Sequence, residues 1–327
     1  MNFRLERISL PLKVNWKISR SETTLKINFI VHLETALGNF RSEVAPNTRY
    51  GETPDLIAAQ FDKWLLGTDL NQISSIDSLT EVLDRTPLFH SLRFGLESAA
   101  LSYLAKKNNQ SLSTFLQLPA IVPIETAFSM PIIPVGEIKE YLENIKRFRF
   151  QKIKVDAETG EDMMREIAKY SNAGLIVDAN EGWKDLDQYL QFESTLKGMN
   201  IALVEQPFPS CMTTEYKELK KRTSYQIMAD ESIEDVGDFS ELAQQFHVVN
   251  IKLMKTGSLI KARNLILEAK QNNMKAMLGC MIETTIGISY GMLFGGLIEY
   301  ADLDGCLLVK DEPFRLIKET EGVLTLS

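Results

Sequence analysis

The sequence predicts an α/β protein whose larger, C-terminal part is a barrel of βα units. Three observations carry that expectation. Short strand-like runs recur at 152–155, 175–178, 202–205, 226–230, 248–252 and 276–279. Their charged markers Lys154, Asp178, Glu205, Asp230 and Lys252 are separated by 24, 27, 25 and 22 residues, about the length of a strand, a loop and a helix. Five of these runs terminate at or beside a lone charged group, and an unpaired buried charge is costly. In a closed barrel such ends converge on one mouth, whereas an open sheet spreads them along an edge.

The elements between and before these runs fit that plan. Polar segments of helix length, such as 185–197 and 259–270, separate the strands. In the first third, residues 25–33 alternate loosely as a strand. Thr53-Pro54 reads as an N-cap followed by proline at the first helical position. Ile57, Phe61, Trp64 and Leu65 then share one helical face, and a second helix runs near 97–106 with Ala100, Tyr103 and Leu104 in register. Four prolines within 119–134 mark a junction between domains.

Composition bounds the function classes. The chain has 327 residues, enough for about two domains. Hydrophobic residues are 44% and charged residues 24%, an ordinary globular mix that excludes a collagen or a disordered chain. The net charge is −8, and the 36 Lys and Arg are scattered, so there is no nucleic-acid footprint. Cys211, Cys280 and Cys306 form no CxxC and no disulfide framework. The N-terminus lacks an apolar signal segment, and the uncharged apolar run 284–298 is too short for a membrane span. A cytoplasmic protein is expected, and a homo-oligomer stays open.

The strand ends form a chemical constellation. Asp178, Glu205 and Asp230 end three consecutive strands and make an oxygen-only ligand set without His or Cys, which favours Mg²⁺ over zinc. The bland alternative is that each acid caps the helix that follows. Lys152 and Lys154 share one strand face, and Lys252 ends a strand on the other side of the triad. Buried lysines shift their pKa downward readily and then act as bases. Asp302 and Asp304, also two apart, suit a cation such as a substrate ammonium. His32, His90 and His247 end no barrel strand and are expected to be structural or exposed.

The motifs carry a resemblance. Lys152-Ile153-Lys154, Val177-Asp178-Ala179-Asn180, Val204-Glu205-Gln206-Pro207, Ala229-Asp230-Glu231-Ser232 and Asn250-Ile251-Lys252-Leu253-Met254-Lys255 resemble the enolase superfamily, muconate-lactonizing subgroup. Gly279-Cys280-Met281-Ile282-Glu283-Thr284, Asp302-Leu303-Asp304-Gly305 and Arg49-Tyr50-Gly51-Glu52-Thr53 narrow it to the dipeptide epimerases, the group of the L-Ala-D/L-Glu epimerases. The resemblance implies an α+β capping domain over 1–120, a modified (β/α)7β TIM-like barrel over 121–311, and C-terminal residues 312–327 packing back on the cap. It implies one Mg²⁺ on Asp178, Glu205 and Asp230, with Lys154 and Lys252 as acid/base residues on opposite substrate faces. Lys152 would neutralise an enediolate, and a lysine base with Mg²⁺ is the chemistry such sites use. Asp302 and Asp304 would hold the dipeptide α-ammonium, and Ser129, Cys280, Met281 and Ile282 would contact substrate.

The implied activity is 1,1-proton transfer at the C-terminal residue of a dipeptide. Relatives that act on Ala-Glu carry a capping-loop arginine. An ungapped alignment puts Ser21 there, with Arg20 one residue earlier, so neutral or hydrophobic L-Ala-X dipeptides are expected. Murein-peptide L-Ala-D/L-Glu epimerisation is the nearest alternative. Cycloisomerase and o-succinylbenzoate synthase reactions are disfavoured by Asp302 and Asp304. A metal-binding barrel without catalysis is disfavoured because the full set of lysines and acids is present.

Overall fold

The computed structural model describes residues 1–19 and 21–327. It begins with an antiparallel sheet of β1 (Asn2–Ile18), β2 (Ser21–Thr35) and β3 (Gly38–Val44), in that order. Three helices follow, α1 (Pro54–Leu66), α2 (Ile76–Asp84) and α3 (His90–Lys107). Thr53 caps α1 by accepting from Leu56 N, and Pro54 takes the first turn. Ile57, Phe61 and Trp64 are the buried face of α1, and Trp64 meets Phe3 edge-on at 5.3 Å. The centre of α3 lies against β2 and β3. A Cβ on Gly95 would stand 2.5 Å from Val44 Cγ2, so only glycine permits that approach.

Beyond β4 (Ile124–Glu125), eight strands run parallel in sequence order: β5 (Phe128–Met130), β6 (Phe150–Lys154), β7 (Gly174–Asp178), β8 (Ile201–Glu205), β9 (Ile227–Ala229), β10 (Val248–Lys252), β11 (Lys275–Gly279) and β12 (Tyr300–Asp302). Helical segments join each strand to the next, and a single 3₁₀ turn, Gly305–Leu307, lies between β12 and the C-terminal strands. The ring is drawn shut between β12 and the approach to β5, where Ala127 N donates to Ala301 O at 2.8 Å and Leu303 N to Thr126 Oγ1 at 2.8 Å. This is the expected (β/α)7β barrel.

Period-two alternation sorts the side chains into layers. Leu175, Val177, Val204, Val249, Ile251 and Leu278 belong to the outer core shared with the helices. Ala127, Ile176, Leu203, Met228, Val248 and Met277 form a separate apolar cluster. By strand parity that cluster fills the barrel interior. Two residues further along the same strand faces stand Ser129, Asp178, Glu205, Asp230, Asn250 and Gly279. The apolar floor therefore gives way to a polar layer within one step of the pleat, at the C-terminal end where barrel sites form.

The chain ends in the hairpin of β13 (Ile317–Thr320) and β14 (Val323–Leu326), turned through left-handed Glu321 and Gly322. The stretch 312–327, expected on the cap, meets it where the Arg41 guanidinium stacks over Phe314. Its strand pairing, however, goes to β4, and Arg147 grips Glu319 at 2.9–3.1 Å. Among the described residues, no helix is long and apolar enough to cross a membrane.

Candidate active site

Register sets the three acids side by side. Lys154 pairs with Asp178 across β6 and β7, Asp178 with Glu205 across β7 and β8, and Glu205 with Met228 across β8 and β9, two residues before Asp230. Asp178 and Glu205 are fully buried, and Asp230 is 2% exposed. Lys152 Nζ stands among them at 2.8 Å from Glu205 Oε2, 3.0 Å from Asp178 Oδ2 and 2.8 Å from Asp302 Oδ2. Lys154 Nζ is 2.5 Å from Asp178 Oδ2. Across the mouth, Lys252 Nζ is 2.7 Å from Asp230 Oδ2.

These contacts set the charges. Burial alone would raise Asp178, but the Lys152 and Lys154 ammoniums hold it well below the usual range. Asp230 is likewise held down against burial, by Lys252, Lys255 and Lys152. Glu205 goes the other way: burial, with the Asp178 charge, pushes it up to about 8. Burial also predicts lowered lysine values, and the structure reverses that sign at Lys152 and Lys252. Burial is outweighed at Lys152 by Asp178, Asp302 and Glu205, and at Lys252 chiefly by Asp230.

The remaining expected residues gather at the same mouth. Ser129 N donates to Asp304 Oδ2 at 2.7 Å, and Ser129 Oγ to Asp302 Oδ1 at 3.3 Å. Burial, then the Asp302 charge, push Asp304 up to about 7. A cavity of about 560 Å³ opens on Lys152, Lys154, Asp230, Lys252, Asp302 and Asp304. Cys280, Met281, Ile282 and Ser129 also line it, while Trp16, Ile18 and Leu25 close it from the cap. Arg20 lies outside the described residues. A larger hollow of about 1120 Å³ lies at the opposite end of the strands, by Phe150, Gly174 and Asn200, and contains none of these acids or active-face lysines.

Several supporting residues escape sequence reasoning. Asn250 Nδ2 holds Glu205 Oε1 at 2.8 Å. Buried Lys255 bonds Asp230 Oδ1 at 2.7 Å and Ile233 O at 3.0 Å. Gln206, in left-handed conformation at φ 41, accepts from Asp230 N at 2.8 Å. Lys255 was visible as a second lysine three residues after Lys252, but nothing in its spacing marks its partner. The histidines do stay outside the site. His247 Nδ1 accepts from Ile227 N at 3.0 Å, and His32 Nε2 lies 2.9 Å from Glu6.

The donor chemistry fits a hard divalent cation. Three carboxylates on adjacent strand ends offer only oxygen, and each already has a positive group against it. As the side chains stand, no cluster of three or more His, Cys, Asp or Glu is close enough to ligate one ion among the described residues. The Lys152 ammonium is the cation between Asp178 and Glu205.

Residues 137–313, over half of the chain, match the family described as enolase C-terminal domain-like. The chain belongs to this enolase C-terminal domain-like family. An L-Ala-D/L-Glu epimerase of Bacteroides thetaiotaomicron is 32% identical over 180 residues, 55% of this chain and 47% of that protein, so the match spans about half of that relative. An L-Ala-D/L-amino acid epimerase of Flavobacterium johnsoniae is 26% identical over 100% of this chain and 97% of its own. The crystal structure of a dipeptide epimerase from Enterococcus faecalis, complexed with Mg and the dipeptide L-Leu-L-Tyr, superposes with a TM-score of 0.88 at 25% identity, covering 99% of this chain and 96% of that one. For an enolase-family chain, the polar layer above is the end of the barrel to which any chemistry belongs.

Proposed function

We propose that this chain is a Mg²⁺-dependent dipeptide epimerase, an isomerase that inverts the α-carbon of the C-terminal residue of a dipeptide. The observation that carries the reading is the opposition of Lys154 and Lys252 around one cavity that also contains Asp302 and Asp304. Relatives along the whole chain bear epimerase names, and a structural relative holds Mg and a dipeptide.

Asp178, Glu205 and Asp230 would hold the ion. A bound Mg²⁺ supplies positive charge that offsets the negative charge building on the substrate carboxylate. Lys152 is placed to add a second positive group there. One lysine, neutral, takes the α-proton as the C–H bond breaks. The other, as an ammonium, donates a proton to the opposite face and forms the new C–H bond. Each can take either role, so both configurations interconvert. Asp302 and Asp304 accept the substrate α-ammonium, and Ser129 fixes both acids.

Trp16, Ile18, Leu25, Met281, Ile282 and Leu308 form an apolar part of a cavity wall that also carries Glu22, Lys26, Arg49 and Glu52, and that apolar part supports a neutral or hydrophobic second residue. Three cysteines without a disulfide accord with a cytoplasmic location. The test is proton NMR of L-Ala-L-Leu or L-Ala-L-Phe with enzyme and Mg²⁺ in D₂O. Loss of the C-terminal α-proton signal with growth of the L,D diastereomer is expected. No exchange across a panel of dipeptides overturns the reading.

A further inference from the structure

The loop 280–284 brings Cys280, Met281 and Ile282 to the cavity, and two buried residues of the cap hold its backbone. Asn28 on β2 donates from Nδ2 to Ile282 O at 2.9 Å and to Glu43 Oε1 at 2.8 Å. Glu43 on β3 accepts from Thr284 N at 2.9 Å, Thr284 Oγ1 at 2.6 Å and Gly287 N at 3.0 Å. Within the loop, Glu283 Oε1 accepts from Met281 N at 2.8 Å. Asn28 and Glu43 are 0% exposed and Glu283 is 3% exposed.

The two carboxyls crowd over Gly287. A Cβ there would stand 2.3 Å from Glu283 Oε2 and 2.9 Å from Glu43 Oε2. Like charges that close in a dry interface do not both persist. The other titratable groups that face the pair are Lys252 and Cys280 at Glu283 and Cys306 at Glu43. Burial keeps both thiols neutral, and Lys252 is engaged by Asp230. Glu43 accepts from four donors, as a carboxylate does. Burial, then the Glu43 charge, push Glu283 up to about 8.

We propose that Glu43 and Glu283 hold one proton between them and, with Asn28, act as positioning residues that clamp the substrate-facing loop 280–284 to the cap. Loss of that proton sets a second negative charge beside Glu43 and drives β3 and the loop apart. Met281 and Ile282 then loosen where they meet the substrate, so binding suffers before proton transfer does. The role in binding rests on the reading of the cavity as a dipeptide site.

Two measurements on the Mg²⁺-loaded, full-length protein test this. The first is the infrared difference spectrum between wild type and Glu283→Gln. A protonated-carboxyl C=O band is expected in wild type near neutral pH, lost in the variant and lost from wild type on raising the pH. Its absence overturns the shared proton whether or not any dipeptide turns over. The second is KM for L-Ala-L-Leu. KM is expected to rise between about pH 7 and about pH 9 in both proteins as the substrate ammonium is lost, but by about fivefold more in wild type than in Glu283→Gln, with a smaller change in kcat. The same KM slope in both proteins overturns the clamp. If no dipeptide is turned over at any pH, the catalytic reading fails while the infrared band still decides the pair.

Discussion

Lys154 and Lys252 face each other across the barrel axis. β6 and β10 are four strands apart in the eight-strand ring. Each Nζ leans on its own acid, Lys154 on Asp178 at 2.5 Å and Lys252 on Asp230 at 2.7 Å. An α-carbon held between them is open to proton exchange on both faces, which is the geometry that inversion requires.

Metal binding should be visible in stability. A ligand present at a hundredfold excess over its Kd stabilises the fold by about 2.7 kcal/mol. Addition of Mg²⁺ to chelator-treated protein is therefore expected to raise Tm and restore turnover. In Asp178→Asn the Mg²⁺-dependent rise in Tm should be lost. Calorimetry of both proteins checks this, and a wild-type Tm indifferent to Mg²⁺ contradicts the ligand set.

If Asp304 holds the substrate ammonium as proposed, binding should depend on pH. Burial and the Asp302 charge push it up to about 7, so it is a carboxylate above that pH and a neutral acid below it. An ammonium loses its partner in the acid form. KM is expected to rise as pH falls from about 8 to about 6. In Asp304→Asn the KM should be about tenfold higher or more near pH 8, the scale of a charged hydrogen bond of about 1.5–3 kcal/mol, and should converge on the wild-type value near pH 6. Steady-state kinetics across that range decide it, and a flat wild-type profile counts against the assignment.

Gly279 keeps the lysine in place. A Cβ there would lie 2.5 Å from Asn250 Oδ1 and 3.0 Å from Lys252 Cε. Gly279→Ala is expected to displace Lys252 and lower kcat by about 10²-fold. Circular dichroism should show the fold retained. Wild-type turnover in the variant would mean that Lys252 needs no fixed position.

Selectivity follows the cavity wall. With Trp16, Ile18, Met281 and Leu308 on the cavity wall, kcat/KM for L-Ala-L-Phe or L-Ala-L-Leu should exceed that for L-Ala-L-Glu by about tenfold or more. A preference for L-Ala-L-Glu would contradict the apolar assignment.

The sequence exposes what local periodicity governs. Asp178, Glu205 and Asp230 stand at strand ends that alternate with apolar runs, and Lys152 and Lys154 share a face because they are two apart. The α1 cap at Thr53 follows from its own dipeptide. What stays hidden depends on partners far along the chain. Ring closure uses Ala127 with Ala301, and the loop 280–284 is held by Asn28 and Glu43. The sign of the lysine shifts is hidden for the same reason. Burial is legible from Ile153 and Ile251 beside the lysines, but the opposing carboxylates come from β7, β8, β9 and β12.

The most direct test of the opposed pair is hydrogen exchange in D₂O by Lys154→Ala and Lys252→Ala, followed by proton NMR on both L-Ala-L-Leu and L-Ala-D-Leu. Epimerisation should fall by about 10²–10⁴-fold in each variant. Each should still exchange the α-proton of one diastereomer only, and the two variants should choose opposite ones. Wild-type epimerisation in both variants, or the same diastereomer exchanged by both, contradicts two bases on opposite faces.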